Sequence, residues 1–150
     1  MKSSEVASEL VFLGNRVITF NLSTNMINIK AQPVNVAFDF DYDIKELKHE
    51  AGNSFGLLDY IVKVRASVKR KVLFKIELVM EGAFRSETLS KEDFKSMVEV
   101  NGLITLSHIS RSYIISATAQ SGINPPIRLP MVNVHKMIDS KTQKAVPDKD

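Results

Sequence analysis

The chain has 150 residues, of which 44% are hydrophobic and 25% charged, the make-up of one ordinary globular domain long enough to bury its own core. It contains no cysteine, which excludes disulfide frameworks, thiolate metal sites and cysteine nucleophiles and fits a reducing compartment. The formal net charge of +3 bears on solubility and non-specific binding rather than on fold.

Met1 to Gly14 carries Glu5 and Glu9 and no long apolar run, so it reads neither as a secretion signal nor as a span. No stretch approaches the ~18 apolar residues needed to cross a bilayer, and the expected location is the cytoplasm. Val6 to Phe20 predicts a first strand, bent near Gly14-Asn15. The loop after it, with Met26, Ile27 and Ile29, is more apolar than a solvated connection should be. Val34, Val36, Phe38, Phe40, Tyr42 and Ile44 then alternate with Asn35, Ala37, Asp39, Asp41 and Asp43, which predicts a strand with one buried and one acidic face. Tyr60 to Lys69 and Val72 to Glu81 alternate in the same way, and Lys69-Arg70-Lys71 between them predicts a hairpin turn. Four antiparallel strands with one wet face follow.

The second half changes period. Ser90, three residues before Asp93, is a capping signal for a helix carrying Phe94, Met97 and Val98. After Asn101-Gly102, Leu103 to Gln120 predicts a five-turn helix closed by Gly122. Leu103, Leu106, Ile109, Tyr113 and Ile114 are among its apolar residues, which cover more than one stripe. A helix apolar on several sides is buried on several sides, so these residues are the expected oligomer interface. Pro125, Pro126 and Pro130 impose an extended track. A short helix over Met131 to Ile138 ends the domain, residues 1–138, and residues 139–150 read as a flexible polar tail. The fold class is α+β.

Catalytic patterns are missing. Asp39, Asp41 and Asp43 share a strand face but lack the Gly turn and distant Glu of a calcium loop, so they read as a solvated face. His49, His108 and His135 stand in no metal-binding spacing, and His108, in the apolar helix, reads as a packing residue. Ser107, Ser110, Ser112 and Ser116 have no nucleophile elbow, and the six glycines form no phosphate loop. No enzyme activity, metal or cofactor is expected. The informative anomaly is apolar: the Met26–Ile29 loop and the Val134, Met137, Ile138 edge of the last helix would line a groove if the fold brings them together.

Ser121-Gly122-Ile123-Asn124-Pro125-Pro126-Ile127-Arg128-Leu129-Pro130-Met131-Val132-Asn133-Val134 resembles the signature of the SecB export-chaperone family. Gln32-Pro33 before an alternating strand, and Phe74 to Phe84 with Glu77 and Gly82, resemble other parts of it in the right order; the likeness covers roughly residues 8 to 138. It implies a four-stranded antiparallel sheet in Greek-key-like order, a long helix and a short C-terminal helix. It further implies a homotetramer, built as a dimer of dimers, that holds unfolded or pre-secretory polypeptides for export without ATP. The implied client groove comprises Met26, Ile27, Ile29, Val34, Val36, Val134, Met137 and Ile138. The family also includes chaperones of toxin–antitoxin pairs, an alternative role.

The sequence departs from the family at Pro130, one residue early, at Val134 in place of a Phe, and above all in charge. Familiar members dock the SecA motor on an acidic surface. Here the hairpin is Lys69-Arg70-Lys71, next to Glu77, and Thr19 and Ser23 are neutral. This reversed partner surface is expected to repel SecA. An alternative from another class is a basic nucleic-acid-binding module using Lys63, Arg65, Lys69, Arg70 and Lys71, which would need groove-reading or aromatic elements as well.

Overall fold

A computed structural model describes residues 8–25 and 33–145. Four long strands, β1 (Val11–Thr24), β2 (Asn35–Glu50), β3 (Asn53–Val68) and β4 (Lys71–Ser86), precede α1 (Lys91–Met97), a π-helical turn (Val98–Gly102), α2 (Leu103–Gln120) and α3 (Val134–Ala145). The strands form one antiparallel sheet in the order β1-β4-β3-β2. That is a Greek-key order: three strands joined by hairpins, with β1 returning beside β4.

Period-two sequence explains the sheet. Leu58, Tyr60, Val62, Val64 and Ala66 of β3 and Ile76, Leu78, Met80 and Phe84 of β4 are buried on one face, while Lys63, Arg65 and Lys75 stand on the other in water. The hairpin at Lys69-Arg70 is where the basic triplet places it, with Lys69 at φ +55. A second two-residue turn, Ala51-Gly52, has both φ values positive, as the right-handed twist of the flanking strands favours. β1 differs from its expected bounds. It begins at Val11 and continues to Thr24, because Leu22 still packs on the core and Asn25 still bonds across to the Leu73 carbonyl. Register shifts between Phe12 and Gly14 and between Val17 and Thr19 bend it.

Ser90 caps α1: its Oγ accepts the Asp93 N–H at 3.1 Å and donates to Asp93 Oδ2 at 2.7 Å. The helical segment approaches the sheet so closely at Gly102 that a Cβ there would lie 2.8 Å from Leu58 Cδ2 and 3.1 Å from Phe84 Cζ. α2 then crosses the sheet on Leu103, Leu106, Ser110, Ile114 and Thr118, all buried. Gly122, at φ +77, closes α2. Its N–H bonds the Ala119 carbonyl and the Ile123 N–H bonds the Thr118 carbonyl, the paired pattern that satisfies a helix's last carbonyls. The Thr118 hydroxyl accepts the Ile127 N–H at 3.0 Å, tying the proline-rich track back to α2.

The last helix corrects the expected bounds. It starts at Val134 rather than Met131, because Asn133 caps it: Asn133 Oδ1 accepts the Lys136 N–H at 3.0 Å. It continues to Ala145, so residues 139–145 are helix rather than tail. The polar sequence is retained there because Lys141 reaches back to β2, donating to Asp41 Oδ1 at 2.8 Å and to the Tyr42 carbonyl. His108, expected to pack, is exposed on α2.

Candidate functional site

The inner face of the edge strand β2 is one part of the apolar surface that the helices leave partly open. Val36, Phe38, Phe40 and Ile44 touch the core but are only half-buried, and Val34 at the strand's entry is 46% exposed. Their rings are ordered. Phe38 stacks on Phe40 with centroids 6.4 Å apart, and Phe40 stacks on the buried Tyr60 at 6.2 Å. α3 flanks this strip. Met137 and Ile138 are half-buried against the core, and a cleft of ≈ 600 Å3 lies between Phe40 with its neighbours Asp39 and Asp41 and the α3 residues Met137, Ser140, Lys141 and Lys144.

Polar contacts hold the two walls in place. Lys141 Nζ sits 4.7 Å from the centroid of the Tyr42 ring while bonding Asp41 and the Tyr42 carbonyl. The Tyr42 hydroxyl donates to Glu99 Oε1 at 2.9 Å, joining β2 to the π-helical turn. Burial, then the bond and charge of Glu99, push the Tyr42 hydroxyl far above its usual titration range, so it remains a donor. At Asp41 burial acts upward, but the Lys141 hydrogen bond, the Tyr42 N–H and the charges of Lys141 and Lys144 outweigh it and hold the carboxyl below its ordinary value. The cleft thus joins the apolar Phe40 and Met137 to both signs of charge, Asp39 and Asp41 on β2 and Lys141 and Lys144 on α3.

Of the expected groove residues, Val36, Met137 and Ile138 are partly buried against the core, Met137 lines the cleft beside Phe40, and Val34 is exposed. Met26, Ile27 and Ile29 lie outside the described residues. Val134 is 7% exposed and belongs to the core rather than to a groove wall. Phe38 and Phe40, outside the expected groove set, belong to the same alternation as Val34 and Val36 and are likewise only half-buried. The expected oligomer interface also divides. Leu103, Leu106 and Ile114 are 0% exposed within the single chain, which corrects their assignment, and Ile109 and Tyr113 are half-buried, Tyr113 edge-on to Phe20 at 5.2 Å. Among the described residues, the large apolar side chains left exposed are Val11, Phe12, Leu13, Val17 and Ile18 on β1, Ile104 on α2, Val34 before β2 and Met131 before α3. Lys69, Arg70 and Lys71 are exposed at the hairpin, and Glu77 is half-buried on the outer face in register with Lys63.

No family model matches the chain, and no curated protein matches it in sequence. Among solved structures it is similar to the Mycobacterium tuberculosis Rv1957 SecB-like chaperone, determined in complex with a ChAD peptide from the Rv1956 HigA1 antitoxin. The TM-score is 0.67 at 14% identity, over 87% of this chain and 96% of that one. A Streptococcus agalactiae protein of unknown function aligns at TM-score 0.45 and 12% identity, over 81% of this chain and 97% of that one. The chain therefore has a SecB-like fold.

Proposed function

We propose that the protein is an ATP-independent chaperone that holds unfolded polypeptide against the inner face of β2 beside α3. One observation carries this reading: a half-covered strip of stacked aromatic and aliphatic side chains, Phe38 and Phe40 with Val36 and Met137, on a SecB-like fold. Apolar surface open to water is a cost to a lone subunit, and a client's apolar side chains offset it. Methionine adapts to differing client side chains. The reading needs no catalytic group and no cofactor, and it places the protein in the cytoplasm. The test is suppression of aggregation of a chemically denatured client by the full chain without ATP, alongside Met137→Asp. Suppression by the wild type and its weakening in the folded variant support the reading. A wild type that leaves aggregation unchanged overturns it.

A second reading within the same class makes the client an antitoxin. It is favoured by the peptide bound to the Rv1957 chaperone, which comes from an antitoxin. The basic hairpin argues against SecA as the receiving motor. We infer further that the subunit associates with copies of itself through β1 and the outer side of α2, since Phe12, Leu13, Val17, Ile18 and Ile104 are exposed there. A solution mass at a multiple of 16.8 kDa that falls in Ile18→Asp supports this; a wild-type monomer removes it.

A further inference from the structure

The outer face of the sheet sorts its charge by position. Ala37, Arg65, Lys75 and Ser23 form one row across β2, β3, β4 and β1, and Asp39, Lys63, Glu77 and Asn21 form the next. Toward the other end stand Asp41 and then Asp43, Asp59 and Glu81, with Arg16 bonded to Glu81 at 2.6 Å. Arg65 and Lys75 are thus like charges placed directly opposite each other on the two central strands. Such a pair works against the sheet unless a counter-charge relieves it. Among the described residues neither makes an ion pair, and neither do Lys63, Lys69, Arg70 or Lys71 nearby. The side chains flanking the pair are small, Ala37 and Ser23, and a shallow cleft of ≈ 450 Å3 opens over them.

We propose that this cleft docks an acidic segment of a partner polypeptide, a carboxylate of which supplies the counter-charge that Arg65 and Lys75 lack. The bidentate guanidinium of Arg65 suits a carboxylate, and Lys63 lies two residues along the same strand. Alternate side chains of an extended peptide recur about 7 Å apart, the same spacing as Lys63 and Arg65. The basic turn Lys69–Lys71 extends the surface beyond the cleft. Two features favour polypeptide over nucleic acid. Asp39 and Glu77 interrupt the basic rows and would repel a continuous phosphate string, whereas a peptide presents charge only at chosen positions. Neither row offers an aromatic side chain on which a base would stack. By alternation the Arg65 and Lys75 side chains stand on the opposite face from Phe40 and from the α3 cleft, although Phe38, Val64 and Ile76 also border the cleft over them.

The probe is a short, labelled, glutamate-rich peptide, titrated with the full chain by fluorescence anisotropy from about 20 mM to about 200 mM salt. The comparison is a single-stranded DNA oligonucleotide of equal charge. We expect the peptide to bind at low salt, more tightly than the oligonucleotide, and to weaken as salt rises. Arg65→Ser with Lys75→Ser should reduce its affinity roughly tenfold or more, with Tm unchanged or raised because the like-charge pair is gone. No peptide binding at low salt, equal binding by the folded double variant, or tighter binding of the oligonucleotide overturns the proposal. So does a lowered Tm in the double variant, which would mean that the pair already has its counter-charge within the fold.

Discussion

Phe38→Ala is the sharpest test of the groove. A phenylalanine moved fully out of water contributes about 1.5–3 kcal/mol. Phe38 is already half-buried in the subunit, so a client covers only the remainder, worth about 1 kcal/mol. The single variant should therefore weaken client binding roughly fivefold. Phe40 is half-buried too and stacks on Phe38, so the double alanine variant should lose about 2 kcal/mol, roughly 30-fold in Kd. The fold should survive, because both rings lie at the margin of a core centred on Tyr60, Leu58 and Leu78. The assay is calorimetric titration of a permanently unfolded client, with a thermal melt to show that each variant is native. Burial of apolar surface also predicts a negative heat-capacity change that shrinks in the variants. A folded double variant that binds within a factor of about two of wild type would refute the assignment of this strip as the client surface.

Three further outcomes test the fold around the site. Gly102→Ala forces a methyl group to 2.8 Å from Leu58 Cδ2, beside a Phe84 that is itself fully packed, so it should cost on the order of 1–3 kcal/mol in chemical denaturation despite alanine's helix preference. Thr118→Val removes the acceptor of the Ile127 N–H and should cost about 1–3 kcal/mol; faster amide exchange at Ile127 would locate the loss, and unchanged exchange would contradict it. Asp59 is buried with an unpartnered Oδ1, and burial, then the Glu81 carboxylate, push its carboxyl above the usual range. The folded state then holds a proton that the unfolded state has released, so stability falls as pH rises from the ordinary Asp value through the raised one. Asp59→Asn should abolish that fall, raising stability at neutral pH relative to the wild type and leaving it unchanged below the ordinary Asp range, as read from melts across pH.

Much of the architecture is legible in the residues because its causes are local. Alternation at Val34–Ile44 and Tyr60–Glu81 marks strands, since side-chain direction reverses at every residue of an extended chain. Ser90 with Asp93, and Gly122, mark helix ends, since a cap is a bond between near neighbours in sequence. The start of α3 was legible as well, in Asn133, but the apolar Met131 drew the expected boundary three residues too early.

Which apolar residues remain open is a different kind of question. Phe38 and Tyr60 both sit on buried-face positions of alternating strands, and only the order of the strands separates them. β3 is interior and Tyr60 is sealed; β2 is at the edge and Phe38 is half open. Leu103, Leu106 and Ile114 could face a partner as far as helical periodicity is concerned, and only the crossing of α2 over β3 and β4 puts them in the subunit's own core. The pairing of Arg65 with Lys75, ten residues apart, depends on register and on the irregularity between Ala66 and Ser67. The elements and their polarity are legible in the residues, because they follow from bonds and periods a few residues long. Tertiary structure decided exposure, cross-strand partners and the place of Lys141, because each depends on contacts between segments that the chain order does not bring together.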